Sequence, residues 1–221
     1  MQLCTALHAA ASRIGGAESL IVVAQPPVHP DAQQVLDFWF GEPTDPVFGS
    51  DRAEWFRKDP AFDDAIRSRF EALIERGLRG GLEGWAAEAP ASALAQVIVL
   101  DQFTRNVYRG TPRAFAGDAR ALTAARAMVA ARQDEALPPF QRAFVYLPFE
   151  HAEALEMQNE GVRLYARLAA IAPEHANGLD YAERHRSIIE RFGRFPHRNR
   201  ILGRQSTPEE AAFLLTPGSG F

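Results

Sequence analysis

One apolar run constrains the fold of this 221-residue chain more than any other feature. From Ala93 to Leu100, seven of eight residues are apolar, and only Gln96 interrupts the run. A helix with this pattern is apolar on nearly every side, which is typical of a helix that other helices enclose. We therefore expect a central helix within residues 91–113.

Asp101 follows this run directly, so the predicted central helix carries a carboxylate next to the core. Burying an unpaired ion is costly, and the carboxylate therefore needs a partner. Arg105 stands four residues further along the chain, on the same helix face. The sequence predicts an Asp101–Arg105 pair at the end of the central helix.

Apolar residues recur at helical spacing through most of the remaining chain, and no segment alternates in the manner of a strand. We expect Asp31, Asp59 and Asp118 to cap three helices and Pro148 to kink another. The pattern predicts an all-α fold of antiparallel helical hairpins, with seven or eight helices and short loops. Residues 31–221 should form a single domain, with residues 1–30 as a disordered extension or a misassigned start.

Composition argues against several classes of function. A net charge of -4 disfavours general nucleic-acid binding, and no apolar run approaches the roughly 20 residues that span a bilayer. Cys4 is the only cysteine, so neither a disulfide framework nor a cysteine-based zinc site can form. A cytoplasmic protein without nucleic-acid or membrane partners is therefore expected. No P-loop, dinucleotide or serine-hydrolase motif is present, and we expect no cofactor.

Three polar strings interrupt the helical pattern at residues 101–106, 150–153 and 192–200. Guanidinium groups bind carboxylate or phosphate through paired hydrogen bonds, and a histidine beside a carboxylate can transfer protons near neutral pH. The candidate catalytic residues are His151, Asp101 and Glu150. The candidate ligand-binding residues are Arg105, Arg109, Arg113, Arg194, His197, Arg198, Asn199 and Arg204.

A structural interpretation stays open for each of these residues. A histidine on an apolar helix face is more often a hydrogen-bonded core group than a catalyst, and Asp101 with Arg105 could be a structural ion pair. Arginine-rich loops also tie helix ends by bonding their free carbonyl groups. The string at residues 150–153 lacks the H-E-x-x-H spacing of a zinc site, so no metal is expected.

Four strings carry a resemblance to a known family. They are VLDFWF at residues 35–40, LDQF at 100–103 continuing to RAF at 113–115, YLPFEH at 146–151, and RFGRFPHRN at 191–199 running into LGR at 202–204. Together they resemble the bacterial proteins grouped as domain of unknown function 924. The resemblance covers about residues 31–221 and implies an all-helical fold similar to tetratricopeptide-repeat arrays, without implying an activity. Thr104 stands where the family tends to have proline, and Ala152 where it tends to have serine.

Two functions are compatible with these observations. The first is a helical protein whose Arg/His/carboxylate pocket binds a small anionic ligand and could carry out acid/base chemistry on it. The alternative is a tetratricopeptide-like interaction module whose groove takes a peptide or a protein partner. Convergence of the three polar strings would favour the first, and an open groove with exposed aromatic side chains would favour the second.

Overall fold

The computed structural model describes residues 27–220, in which eight α-helices and no strand are found. The helices are α1 (Pro30–Phe40), α2 (Pro60–Leu78), α3 (Pro90–Val97, continued by Ile98–Phe103 and Thr104–Val107), α4 (Asp118–Ala130), α5 (Pro139–His151), α6 (Leu155–Ile171), α7 (Asn177–Phe192) and α8 (Pro208–Leu214). The all-α prediction with seven or eight helices is confirmed. Of residues 1–30, which the sequence predicts to be a disordered extension or a misassigned start, residues 1–26 lie outside the described residues, and His29 and Pro30 belong to the start of α1.

Helix α3 is the central helix that the apolar run predicts. It contacts α1, α2, α4 and α5, and every residue from Ala93 to Leu100 is buried. Trp39 of α1 and Phe70 of α2 belong to the same apolar core. Since side chains point from α3 in all directions, only a helix that is apolar on every side can occupy this position.

The starts of three helices test the predicted caps. Asp59 caps α2, and its Oδ1 accepts two backbone N–H groups of the first turn at 3.0 and 3.1 Å. The other two predictions are wrong. His29 caps α1 instead of Asp31, because its Nδ1 accepts the N–H of Asp31 at 3.1 Å. Asp118 is the first residue of α4, and its carboxylate binds Arg105 instead of a backbone N–H group.

The second half of the chain is a succession of helices that pack on their neighbours. Helix α6 packs against both α5 and α7, as expected for hairpins with short connections. Helix α5 continues through Pro148 to His151, and it contacts the turn Ile98–Phe103 of α3. The segment after α7 folds back onto this end of α5. The tetratricopeptide-like arrangement stays a prediction.

Candidate functional site

The turn Ile98–Phe103 in the middle of α3 is π-helical. Such wide turns are rare inside α-helices and are frequent at functional sites. Two side chains bond the carbonyl groups of this turn: the hydroxyl of Thr104 donates to Leu100 at 2.8 Å, and Nη1 of Arg105 donates to the carbonyl of Asp101 at 2.8 Å. The π-helical turn therefore contains Asp101, the first of the predicted site residues.

The carboxylate of Asp101 is fully buried and is bonded on both oxygens. Oδ1 accepts from Nη1 of Arg105 at 3.0 Å and lies 2.7 Å from Nδ1 of His151, while Oδ2 accepts from Nε2 of Gln102 at 2.6 Å. Burial alone would raise the pKa of Asp101, but Arg105, His151 and Gln102 outweigh it and hold the pKa below its usual value. Asp101 is therefore ionised, and the pair predicted with Arg105 forms.

His151 must donate to Asp101, because an ionised carboxylate can only accept hydrogen bonds. Burial, with the charge of Arg105, lowers the pKa of His151 to about 4 against the opposing effect of Asp101. The imidazole is therefore neutral near pH 7, with its proton on Nδ1 and a lone pair on Nε2. No described residue hydrogen-bonds Nε2, and 16% of the side chain is exposed. His151 thus presents a neutral base at the edge of the buried cluster.

Arg105 joins Asp101 to a second carboxylate that the sequence did not assign to the site. Its Nη1 and Nη2 bond the two oxygens of Asp118 at 2.9 and 3.1 Å. The preceding residue, Gly117, lies so close to α3 that an added Cβ would overlap the carbonyl oxygen of Leu100. A glycine is therefore needed to bring Asp118 to Arg105.

A second histidine and carboxylate lie beside the first pair. Nδ1 of His185 is 2.8 Å from the carbonyl oxygen of Tyr181 and 3.2 Å from Oε2 of Glu150, so this nitrogen carries a proton. The hydroxyl of Tyr165 donates to the carbonyl oxygen of Ala143 at 2.8 Å, and burial, with the charge of Glu150, raises the pKa of Tyr165 well above its usual value. The ring centroids of His151 and His185 are 6.3 Å apart. Two His/carboxylate pairs therefore lie side by side at the end of α5.

Gln158 of α6 fixes the backbone that carries His151. Its Nε2 lies 3.2, 2.6 and 2.7 Å from the carbonyl oxygens of Phe149, Glu150 and Ala152. The last carbonyl groups of a helix have no donor within the helix itself, so a buried amide at this position satisfies them. Gln158 therefore positions the C-terminal end of α5 relative to α3.

The third polar string is held to this end of α5 by Glu153. Its carboxylate accepts the backbone N–H of Phe195 at 2.8 Å and two donors of Arg204 at 2.6 and 2.9 Å. Arg204 also donates to Oδ1 of Asn199 at 2.9 Å. Arg204 and Asn199 therefore fold the segment onto α5 through contacts within the protein.

Arg194 has an internal partner as well. Its Nε and Nη2 donate to the two oxygens of Glu210 at 2.6 and 2.8 Å. Glu210 is buried, accepts from Nδ2 of Asn199 at 3.2 Å and completes the capping box of α8 with Thr207. This ion pair joins the segment to α8.

Arg198, a predicted residue of the third string, hydrogen-bonds the backbone of His151. Its Nη1 donates to the carbonyl oxygen of His151 at 3.0 Å and lies 3.7 Å from Oδ2 of Asp118. Its guanidinium is 4.9 Å from the ring centroid of Phe115 and 4.5 Å from that of Phe195. Burial and the charge of Arg105 lower the pKa of Arg198 to about 10.

The neighbouring His197 is also predicted as a ligand-binding residue. Burial and the charge of Arg198 lower the pKa of His197 to about 4, so this imidazole is neutral near pH 7. Its ring lies 5.6 Å from that of Phe195. His197 therefore belongs to the buried surroundings of Arg198.

Arg109 and Arg113 lie apart from the cluster, where α3 faces α2. Arg109 bonds both oxygens of Asp63 at 3.1 Å. Arg113 bonds Glu75, which also accepts from the hydroxyl of Tyr108 at 2.6 Å. Both arginines are partly exposed, with 39% and 48% of their side chains accessible. They join neighbouring helices and do not point to His151.

The site contains residues to which the sequence analysis gives no role in it, above all Asp118, Glu153 and Gln158. Asp118 was assigned to a cap, although Arg105 is its partner. Gln158 leaves a signal in the sequence, because it lies three and seven residues before Gly161 and Tyr165 on the buried face of α6. A polar side chain on such a face needs partners inside the protein.

Other features of the described chain lie outside this cluster. Residues 27–220 contain no group of three His, Cys, Asp or Glu side chains placed to hold a metal ion, and none of their helices is long and apolar enough to cross a bilayer. Two surface depressions lie elsewhere, one beside Phe140 and His175 and one between α1 and α2 near Arg69. The cluster is therefore a buried network with an exposed edge at His151.

The fold and this cluster define an all-helical protein with a buried histidine–carboxylate centre. The chain belongs to the family described as bacterial protein of unknown function (DUF924), whose model matches residues 35–218. It is also similar to a solved structure of a protein of unknown function from Agrobacterium tumefaciens, with 39% identity and a TM-score of 0.72. The similarity covers 83% of this chain and 96% of that one. No curated protein gives a significant match.

Proposed function

We propose that the protein binds a small anionic ligand beside His151 and that the imidazole exchanges a proton with it. One observation carries the proposal: buried Asp101 holds Nδ1–H of His151, and Nε2 has no partner among the described residues. A neutral imidazole oriented by a buried carboxylate is the arrangement of a general base. The nearby guanidinium of Arg198 supports an anionic ligand.

The charge of the ligand would set the strength of this base. With a pKa of about 4, His151 is a weak proton acceptor near neutral pH. An anion bound beside the ring favours the imidazolium form and raises the pKa of His151 towards neutrality. Asp101 then stabilises the imidazolium, while Arg105 keeps Asp101 ionised. The base is thus strongest when the anion is present.

Glu150 has a different part in this proposal from the one that the sequence predicted. Its Oε2 lies 3.2 Å from Nδ1 of His185, whereas Asp101 contacts His151. We assign Glu150 to holding the second ring in place. Asp101 is the carboxylate that acts on His151.

Proton exchange in heavy water tests the proposal directly. Pyruvate, acetoacetate and dihydroxyacetone phosphate carry an anionic group and a C–H beside a carbonyl, and NMR follows the replacement of that hydrogen by deuterium. We expect the protein to accelerate exchange for at least one probe and His151→Gln to lower the rate by about 100-fold or more. His175→Gln, in the turn Pro173–His175, is the matched control and should leave the rate unchanged. Exchange that is independent of His151, or absent with every probe, contradicts the proposal.

A second proposal keeps the interaction module, on the basis of exposed apolar side chains in one connection. Val47, Phe48 and Phe56 in the α1–α2 connection are 45%, 36% and 71% exposed. Exposed apolar side chains that share one segment can bind a peptide or protein partner. Under this proposal Phe56→Ser abolishes binding of a purified partner without affecting the unfolding midpoint, whereas His151→Gln leaves binding unchanged. Loss of binding in His151→Gln alone would contradict it.

A further inference from the structure

The predicted arginines differ in what their guanidinium groups already bind. Five of the six have at least one carboxylate within hydrogen-bond distance in the described chain. They are Arg105 with Asp101 and Asp118, Arg109 with Asp63, Arg113 with Glu75, Arg194 with Glu210, and Arg204 with Glu153. Arg198 is the exception, since its nearest carboxylate oxygen, on Asp118, lies 3.7 Å away.

One edge of the Arg198 guanidinium, formed by Nε and Nη2, makes no hydrogen bond within the described residues, and this is the edge that pairs with anions in other proteins. Nη1 donates a hydrogen bond to the carbonyl oxygen of His151 at 3.0 Å. Nε is buried without a hydrogen-bond partner in the described residues, and no contact within them occupies Nη2. These two nitrogens donate in parallel and match the two oxygens of a carboxylate. An unsatisfied buried donor on a side chain that is only 7% exposed is costly, so an acceptor oxygen placed at this edge would stabilise it.

The surroundings of this edge select the charge of the anion. Aromatic rings lie near the guanidinium, with the centroid of Phe195 at 4.5 Å and that of Phe115 at 4.9 Å. Both rings are close enough for cation–π contact with the guanidinium, so aromatic side chains form part of its surroundings. The charges of Asp101, Asp118 and Glu153 act on Arg198 and would repel a dianion more than a monoanion.

We propose that the Nε–Nη2 edge of Arg198 binds a single carboxylate group of the ligand, so that the protein recognises small monocarboxylates. This inference rests on the proposed function, because it gives the anion a position beside His151. Arg198 is then a specificity-determining residue. The other predicted arginines hold helices and loops together.

Ligand titrations followed by NMR test this assignment. The probes are acetate and pyruvate, with acetamide as the uncharged planar analogue and inorganic phosphate as the competing anion, all at constant ionic strength. We expect saturable binding of both carboxylates, none of acetamide, and weaker binding of phosphate. Arg198→Lys keeps the charge but removes the paired donors, and it should weaken carboxylate binding by about tenfold or more. Arg113→Lys, on the exposed ion pair with Glu75, is the matched control and should leave binding unchanged.

The Nε–H signal of Arg198 in the unmodified protein gives a second measurement that does not depend on a variant. It should move downfield as carboxylate is added, in proportion to the bound fraction. Unchanged binding in a folded Arg198→Lys protein, tighter binding of phosphate than of carboxylate, or no response of this signal would overturn the assignment. Carboxylate binding that requires Arg198 without any proton exchange would leave the assignment standing and reject the acid/base function of His151.

Discussion

Replacing Asp101 by asparagine should destabilise the protein strongly, although the substitution only exchanges one carboxylate oxygen for an NH2 group. The carboxylate is fully buried and joins Arg105, His151 and Gln102 through contacts of 3.0, 2.7 and 2.6 Å. An asparagine amide has only one acceptor oxygen. Its NH2 group, in place of the second carboxylate oxygen, would face a donor of a neighbouring side chain. Breaking a buried ion pair by removing one partner costs about 3–5 kcal/mol, and we expect Asp101→Asn to lower the free energy of unfolding by that amount.

Urea denaturation at neutral pH measures this loss. The comparison requires that the slope of the unfolding free energy against urea concentration is the same for both proteins. Asp31→Asn is the matched control, because Asp31 also pairs with one arginine, Arg76, but both side chains are about 40% or more exposed. An exposed pair contributes about 1 kcal/mol or less. A loss below about 1 kcal/mol for Asp101→Asn, or equal losses for both variants, would refute the idea that Asp101 is the buried ionic centre of the site.

Two further predictions follow from the geometry and from the protonation of the site. Gly117→Ala should destabilise the protein by about 1–3 kcal/mol in thermal unfolding, because its new Cβ overlaps the backbone of α3 and displaces Asp118. The control is Gly84→Ala, whose added Cβ meets no atom within 4 Å. It should change the stability by less than about 1 kcal/mol. Folding lowers the pKa of His151 from 6.5 to about 4. As the pH falls, the unfolded chain therefore binds a proton at His151 before the folded protein does. The stability that is present above pH 6.5 is lost between pH 6.5 and pH 4. In this window His151→Gln should reduce the pH dependence of the unfolding free energy by up to about 1.4 kcal/mol per pH unit, and an unchanged pH dependence would contradict a neutral buried imidazole.

Local features of the site could be predicted because they depend on neighbouring residues alone. Arg105 is one helical turn from Asp101, so the spacing itself brings the two side chains together. The apolar run before Asp101 likewise requires a central position for α3. Asp59 followed by Pro60 also marks a helix start without reference to the rest of the fold.

The partners of the other charged residues could not be predicted in the same way. Arg194 and Arg198 are four residues apart and look equivalent in the sequence, yet one binds Glu210 and the other has no carboxylate on its Nε–Nη2 edge. Asp118 looked like a helix cap, although Arg105 lies 13 residues away along the chain. Long-range pairs of this kind depend on which helix ends meet, and spacing along one helix contains no information about that.

The sequence by itself determined that this chain folds into helices around α3 and that Asp101 is buried beside an arginine. Apolar periodicity and the cost of an unpaired buried charge are sufficient for both conclusions. Only the tertiary structure decided that His151 reaches Asp101 across 50 residues, that Glu150 meets His185 instead, and that most predicted arginines are engaged within the protein. These outcomes follow from the packing of α5 on α3 and from the return of residues 192–204 over the end of α5, because side chains from distant helices come together only when the whole core forms.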